Sequence, residues 1–479
     1  MNDNKNYVRE ITNIEDDFAK WYTDIVIKAD LADYTDVKGF MAIKPYGFAI
    51  WENIKEYADK EFKKVGVKNV YLPLLIPEDL LNKEKDHIEG FAPEVAWVTH
   101  GGAQELENRF CIRPTSETLF SNLYGKWVKS WRDLPMVYNQ WCSVIRWEKE
   151  TKPFLRTREF LWQEGHTVHD NAEEAKDLTL KMLSIYRELI EKKLAIPVLQ
   201  GEKTETEKFA GAENTYTVET LMHDGKILQA GTSHYFGQNF SRPFKIKFLN
   251  KNEEEEYVYQ TSWGISTRLI GAIIMAHGDN RGLKLPPEIA PIQVIIVPIS
   301  LSNEVVTSKA NELFDVLNKS FRVEIDKRDN YSPGYKFNDW EMKGVPVRIE
   351  IGPKDVLENQ CIIVERDTGD KTAIKLDDID PELRKILNNI QKRMFDACKN
   401  NKENRTSSVN SLDEFVERIN ENQGYIKAMW CGDKECEAEI REKTGAKSRC
   451  VPFEQEKISD KCVVCGKKAK HLVFWGRQY

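Results

Sequence analysis

The chain predicts an α+β protein in three parts: a large antiparallel-sheet domain, a smaller α/β unit and a short cysteine-bearing α+β module. Three observations carry this. The stretch Trp141 to Asp170, WCSVIRWEKETKPFLRTREFLWQEGHTVHD, is two runs rich in Trp, Val, Ile and Phe around a basic loop with Lys149, Lys152 and Pro153. That pattern reads as a strand hairpin. From Pro291 onward, strand-like runs (Val294 to Val297, Phe321 to Ile325, Val345 to Ile351, Cys361 to Glu365) alternate with helical ones (Asn303 to Leu317, Gly334 to Met342), which is α/β patterning. Five of the nine cysteines crowd the end: Cys431, Cys436, Cys450, Cys462 and Cys465. The parts divide as residues 1–287, 288–398 and 399–479.

Composition bounds the function. A chain of 479 residues suggests roughly three domains. Hydrophobic content of 41% and charged content of 31% fit a soluble globular protein. No apolar run reaches the ~18 residues of a membrane span. The start, MNDNKNYVREITNIEDDF, lacks an apolar signal core, so a cytosolic protein is expected. The net charge, 70 − 77 = −7, argues against a sequence-blind nucleic-acid coat while permitting a local basic patch. Clustered cysteines in a cytosolic chain point to a metal rather than to disulfides.

Taken in order, residues 12 to 64 read as mostly helical, with Ile50, Ile54, Tyr57, Ala58 and Phe62 at helical spacing before Gly66. Asn69 to Ile76 reads as a strand, interrupted by Pro73 and stopped at Pro77. Phe91 to Trp97 is a loop carrying an aromatic and a carboxylate. In Arg113-Pro-Thr-Ser-Glu117, Thr115 or Ser116 can cap a helix starting near Glu117, and a ligand role is as good a reading. On the hairpin, Arg146 and Glu148 stand two apart in an extended run, so they should share a face. Arg146, Arg156 and Arg158 suit a polyphosphate, because guanidinium forks match phosphate oxygens. By itself, Arg-x-Glu is also what an ion-paired sheet face carries. Asp170 should open a helix to Leu194, with Glu173 in capping-box position. Lys226 to Gln238 reads as a strand entering a Gly-Thr-Ser-His turn near Gln229, Thr232 and His234, where Gly231 would let a ligand approach the backbone. Tyr259 to Gly278 passes through Gly264 into an apolar helix containing Arg268. That Arg needs either an internal carboxylate or a bound anion. Residues 375 to 398 look helical, 399 to 410 polar and loose, and Cys450 sits on a predicted strand.

Arg-x-Glu on a hairpin, with a Gly-led helix bearing an inward Arg 268 − 148 = 120 residues later, resembles motifs 2 and 3 of class II aminoacyl-tRNA synthetases. The Pro-ended strand near Pro73 would be motif 1. The runs RPTSE (113–117), LRTREFLWQEGHT (155–167), GTSH (231–234), HGDNRGLKLPP (277–287) and RDNYSPGYKFNDWEMKGVP (328–346) are similar to the prolyl-tRNA synthetases of the archaeal/eukaryotic-type branch. The resemblance spans about residue 10 to Tyr479. It implies a class II catalytic domain, an anticodon-binding α/β domain and a zinc-binding C-terminal domain. It implies a homodimer that joins L-proline to tRNA(Pro) through prolyl-adenylate, formed from proline and ATP with Mg2+ and release of pyrophosphate.

Residue by residue, the resemblance puts Arg146 on the α-phosphate and Arg268 on the γ-phosphate. Arg156 and Thr157 belong to the loop covering ATP, Gln229, Thr232 and Ser266 hold the nucleotide, and Glu148 completes the motif 2 pair. The proline pocket would use Thr115, Glu117, Trp162, Glu164, His166 and His234, with Phe91 and Glu94 on a covering loop. Glu341, Arg348 and Lys354 would read anticodon bases. Cys431, Cys436, Cys462 and Cys465 would hold one structural Zn2+, leaving Cys450 spare. The chain end at Tyr479 would pack towards the active site. The roughly 100 residues between motifs 2 and 3 leave no room for a large editing insertion, so editing would need a separate protein. His87-Ile-Glu-Gly90 superficially matches a class I signature but lacks its second His. Threonine, serine, glycine or histidine are the competing substrates, and the aromatic Trp162 and Phe91 favour an apolar ring. A catalytically dead paralogue would be expected to lose Arg146, Arg268 or the pocket carboxylates.

Overall fold

The computed structural model describes residues 10–85 and 95–479. Its first element, the helix Phe18–Lys28, starts where the Asp17 side chain accepts from the Lys20 N–H. Residues 12–64 are not one helical run. A short hairpin, Ala32–Tyr34 against Met41–Ile43, separates that helix from Pro45–Lys64. Pro45 stands in the first helical turn, where a missing N–H costs nothing. Trp21, Tyr22 and Ile25 on one helix, and Ile50, Ile54 and Phe62 on the other, bury against one core. The expected strand at 69–76 also splits. Lys68–Asn69 pairs in parallel with the hairpin, whereas Leu75–Pro77 joins a separate three-stranded sheet. Pro73, without an N–H, lies between them.

The frame of the molecule is an eleven-stranded sheet. In spatial order its strands are Thr406–Ser408, Tyr425–Trp430, His471–Gly476, Lys447–Pro452, Val198–Glu202, Asn214–Leu221, Ile227–Gly237, Tyr259–Ser266, Glu159–His169, Met136–Ile145 and Lys68–Asn69. The seven strands from Lys447–Pro452 to Met136–Ile145 are antiparallel to their neighbours. The C-terminal strands therefore extend the central sheet, through Val451 opposite Glu202 and Pro452 opposite Gly201. Helix Ala172–Glu188 packs on this sheet and is capped by Asn171, whose side chain accepts from the Glu174 N–H. The cap is one residue later than Asp170, and the helix closes in a π turn at Leu189–Lys193.

The α/β unit is a five-stranded sheet in the order Val323–Ile325, Val294–Pro298, Val347–Ile351, Gln360–Glu365, Lys371–Lys375. Its first three strands are parallel, and it has its own apolar core. Residues 399–410 are not loose. Helix Ile379–Asn404 runs through the first half of them, and Thr406–Ser408 pairs with Tyr425–Trp430. Leu383, Ile386, Ile390, Met394 and Cys398 form a buried stripe at helical spacing, which carries the helix past its polar residues.

Candidate active site

Strand register builds the site. Gln140 pairs with Glu164, Glu164 with Gly264, Gly264 with Thr232, and Thr232 with Thr217. The next row is Tyr138, His166, Ser262, His234 and Thr215. Because side chains alternate between faces, both rows lie on one face, together with Trp162 and its partner Ser266. A bulge after Val218 leaves Ala230 unpaired and sets Gln229 opposite Glu219. That shift carries Gln229 onto the same face as Thr232 and His234.

Above this face is a cavity of about 290 Å³. One end is acidic. Glu164, fully buried, accepts from the Ser116 N–H (3.0 Å), the Ser116 hydroxyl (2.5 Å) and Gln140 Nε2 (2.7 Å), and lies 3.0 Å from His166 Nε2. Burial alone would raise its carboxyl, but the His166, Ser116 and Gln140 bonds hold it below the usual range. Burial raises the neighbouring Glu117 carboxyl, which accepts from the Thr115 hydroxyl. Phe120 stacks on His166 at 4.3 Å. Burial drives His234 down to about 3, so its imidazole is neutral near pH 7, with Nδ1 3.0 Å from the Thr215 hydroxyl.

The other end is cationic. Arg146 Nε donates to the Pro114 carbonyl at 3.1 Å, and its guanidinium sits 5.3 Å from the Trp162 ring and 5.4 Å from Phe160. Arg268 Nε donates to the Leu155 carbonyl at 3.2 Å, and Nη1 to the Gln229 carbonyl at 3.5 Å. Burial, with Arg146 and Arg156 nearby, lowers Arg268 to about 10. Among the described residues, neither guanidinium has a carboxylate within ion-pair distance; both are held by carbonyls and face the cavity. A half-buried cation without a counter-charge is poorly compensated, so this end of the cavity suits an anion that supplies one.

Comparison with known proteins agrees. Residues 97–277 match the tRNA synthetase class II core domain (G, H, P, S and T), 293–386 an anticodon binding domain, and 412–479 the C-terminal domain of prolyl-tRNA synthetase. The chain is 58% identical over 475 residues to the proline--tRNA ligase of Alkaliphilus oremlandii, covering 99% of each chain. It is 57% identical over 479 residues, all of each chain, to the proline--tRNA ligases of Clostridium novyi and Lachnoclostridium phytofermentans. The chain belongs to the prolyl-tRNA synthetase family. Its three family-model matches fall in the order expected of a class II catalytic core, an anticodon-binding domain and a prolyl-tRNA synthetase C-terminal domain.

Of the residues that resemblance to this family singles out, Thr115, Glu117, Arg146, Trp162, Glu164, His166, Gln229, Thr232, His234, Ser266 and Arg268 all line the one cavity. Glu148, Arg156 and Thr157 do not. The strand ends at Ile145, and the Glu148 N–H folds back on the Arg146 carbonyl at 2.7 Å, so Arg146 and Glu148 do not share a strand face. Glu148 stands 4.0 Å from Arg156, and Thr157 donates to the Glu159 carbonyl. Arg158 turns away as well, stacking on Trp147 at 4.2 Å. Gly231-Thr-Ser-His234 is mid-strand, not a turn. A Cβ on Gly231 would lie 2.9 Å from Ile265 Cγ2 and 3.1 Å from Tyr186 Cδ2, so this glycine makes room for the core on one face while it also lines the cavity. Phe91, Glu94 and the His87–Gly90 run lie outside the described residues.

Several lining residues escape a motif reading: Phe160, Glu207, Phe209 and Thr215. So do Ser116 and Gln140, which hold Glu164. The period-two alternation of Thr215, Thr217 and Glu219 was the available signal for that strand. In the α/β unit, Glu341 accepts from Arg281 at 2.7 Å, Arg348 donates to Glu350 and stacks on Phe337 at 4.4 Å, and Lys354 is exposed. Tyr479, at the chain end, hydrogen-bonds Asp224 and takes Lys152 and Lys226 over its ring at 5.5 and 5.1 Å.

The sulfurs of Cys431, Cys436, Cys462 and Cys465 lie within 4.8 Å of one another, with Cys431 3.7 Å from both Cys436 and Cys465. A tetrahedral Zn2+ with Zn–S near 2.3 Å requires S···S separations of about 3.8 Å, so the donor set fits. Cys450 is buried apart from them, on the strand Lys447–Pro452.

Proposed function

We propose that this protein joins L-proline to tRNA(Pro) in two steps, through prolyl-adenylate made from proline and ATP. The observation that carries this is the polarity of the cavity: two half-buried guanidiniums without a carboxylate partner among the described residues at one end, Trp162 beside Arg146, and Glu117 and Glu164 at the other. The relatives' shared activity supplies the amino acid.

In this reading the proline carboxylate attacks the α-phosphate in line. Arg146 neutralises charge there, Arg268 holds the far phosphates, and pyrophosphate leaves. Gln229, Thr232 and Ser266 orient the nucleotide, and Arg156 and Thr157, outside the cavity, close over it with Glu148 behind them. Proline's NH₂⁺ is received by Glu117 and Thr115, while Trp162 walls the ring and Glu164 fixes His166. A neutral His234 adds no cation beside the ammonium. Among the described residues, groups of three or more potential metal ligands occur only at Glu117–Glu164–His166 and at the four cysteines. The phosphate end carries no such cage, so Mg2+ is taken to arrive with the triphosphate, largely held by phosphate oxygens and water. ATP–pyrophosphate exchange without tRNA, run with each of the twenty amino acids, should respond best to proline. Exchange driven by threonine or glycine and not by proline would sink the assignment.

Four further readings go with it. Zn2+ at Cys431, Cys436, Cys462 and Cys465 is structural, since four thiolates leave no open position. Elemental analysis should give about one zinc per chain, lost in Cys462→Ser and kept in Cys450→Ser. The protein is a homodimer built around the motif 1 segment, where Tyr71 (74% exposed), Leu74 and Leu75 are exposed apolar residues close in sequence. An active monomer by light scattering would contradict this. The three parts are 1–287, 288–398 and 399–479; separate apolar cores support them, although helix Ile379–Asn404 crosses the last boundary. Limited proteolysis cutting within a part rather than between parts would argue otherwise. A tRNA substrate places the protein in the cytoplasm, which cell fractionation tests; no described helix is long and apolar enough to cross a membrane.

A further inference from the structure

The loop 203–213 leaves strand Val198–Glu202 and returns as Asn214–Leu221, and Glu207 and Phe209 on it wall the cavity. That wall stands at the acidic end. The Phe209 ring packs against His234 with centroids 4.8 Å apart. The Phe209 N–H donates to the Thr215 hydroxyl at 3.0 Å, and the same hydroxyl bonds His234. The other side of the loop faces the C-terminal module, and it is not closely packed there. A second cavity, of about 100 Å³, lies between them, bordered by Glu207, Glu437 and Lys447.

Polar bridges cross this gap. The buried Thr204 hydroxyl lies 2.9 Å from Glu437 Oε1 and 2.8 Å from the Ser448 hydroxyl, which also bonds Glu437 Oε1. Lys447 pairs with Glu207 at 3.0 Å. Thr204 in turn sets the start of the loop, because its carbonyl accepts from the Glu207 and Lys208 N–H groups at 3.0 and 2.9 Å. Glu437 is an unusual choice for a mere joint. It is only 6% exposed, both hydroxyls meet its Oε1, and among the described residues its Oε2 has no hydrogen-bond partner. A buried carboxylate left half satisfied costs stability, which an apolar pair at the same place would not. What the carboxylate adds is direction: two hydroxyls drawn to one oxygen put Thr204, and the turn it starts, in one place. Glu437 is itself set from behind, on helix Lys434–Thr444 next to Cys436 of the clustered thiols.

We propose that Glu437 is a positioning residue for the amino-acid pocket: through Thr204, it lets the C-terminal module fix the loop that carries Glu207 and Phe209, and so the shape of the acidic end of the cavity. The inference rests on the reading of that end as the proline site. The cationic end is built from other elements, Arg146 following strand Met136–Ile145 and Arg268 opening helix Arg268–His277, so the effect falls on the amino acid and not on ATP.

A joint that only holds the parts together is the competing explanation, and kinetics separates the two. In proline-dependent pyrophosphate exchange by the full-length protein, Thr204→Val keeps the side-chain shape and removes the hydroxyl. It should raise the proline KM about tenfold, the scale of one hydrogen bond to a charged group, and leave the ATP KM at its wild-type value. Glu437→Leu should do the same. Glu437→Gln, whose amide oxygen can still take both hydroxyls, should keep the wild-type proline KM. The double variant of Thr204→Val and Glu437→Leu should be no worse than either single one, since both cut the same link. Metal content should match wild type in every variant, which separates the effect from loss of the cysteine site. Should Glu437→Leu not fold, Thr204→Val decides alone. An unchanged proline KM in Thr204→Val, or proline and ATP KM values rising together, overturns the proposal. So does a lowered melting temperature with all kinetic constants unchanged. If the wild-type protein exchanges pyrophosphate with another amino acid and not with proline, the reading beneath it fails instead.

Discussion

Two groups of cations set back from the surface, at different places along the central sheet, behave in opposite ways. Arg146 and Arg268 are half-buried, and among the described residues their guanidiniums hydrogen-bond only to carbonyls. Arg449 and Lys203 are more deeply buried and close on Glu219, at 2.7 and 2.6 Å, with Thr217 donating to the same carboxylate at 2.8 Å. These two cations pull Glu219 down to about 2 despite its burial. Arg449 also donates to Gln478. The contrast teaches how to tell architecture from function. A satisfied buried ion cluster holds parts together; a half-buried cation left without a counter-charge is kept for a ligand. Here the satisfied cluster draws on three adjacent strands, Arg449 from the C-terminal module, and Lys203 and Glu219 from the catalytic sheet.

The largest expected effect breaks the satisfied cluster. Arg449→Ala leaves Glu219 short of a partner in the interior and should cost about 3–5 kcal/mol of stability, read by urea unfolding. If unfolding is unchanged while proline-dependent exchange collapses, the cluster belongs to catalysis and the contrast fails. Next comes the other side. Arg146→Ala should slow exchange at least ~100-fold, the scale of one preorganised charge contact, with no loss of melting temperature. A nearly normal rate would remove Arg146 from the site.

Titration sharpens the comparison further. His234 and His277 are held neutral by burial, at about 3 and about 4 against the usual 6.5. Their folded values are depressed, so the unfolded chain binds more protons below pH 6.5, and stability falls as pH drops through that range. At pH 5 the cost is about 2 kcal/mol per histidine. Glu219 works in a lower window: its contribution is complete above its usual 4.5 and is lost as pH falls from there towards 2. Thermal melts from pH 7.5 to 5 should therefore decline in wild type and decline about half as steeply in His234→Asn, where His277 remains; superimposable slopes would mean the His234 imidazole titrates freely. The smallest effect is Arg156→Ala. Its guanidinium is half exposed and 4.0 Å from Glu148, so a loss of about tenfold at most is expected in exchange. A loss matching that of Arg146→Ala would place it inside the closed site.

Much of this was legible in the sequence, and the misreadings have physical causes. The hairpin around residues 141–167, the α/β alternation and the cysteine pairs are local patterns, and each formed. Gly231-Thr-Ser-His234 was misread because its residues favour turns in isolation. Flanking strands on both sides satisfy its backbone, and Ile265 and Tyr186 fill the space a side chain would need. Arg146 and Glu148 were misread as strand neighbours because nothing local marks the end of the strand at Ile145. The pairing of Glu219 with Arg449, 230 residues apart, had no sequence signal at all. Such contacts are set by sheet order, which no short window contains.

That sheet order also bears on how the protein is made. Strand Val198–Glu202 has Asn214–Leu221 on one side, available almost at once. Its other side is paired, among the described residues, with residues 451 and 452, which are made long after it. Until then, a growing chain carries an open strand edge, the kind of surface to which other chains add. The last module thus acts as a closing seam on a sheet laid down much earlier, and a chain truncated before residue 447 would meet other chains with that seam undone.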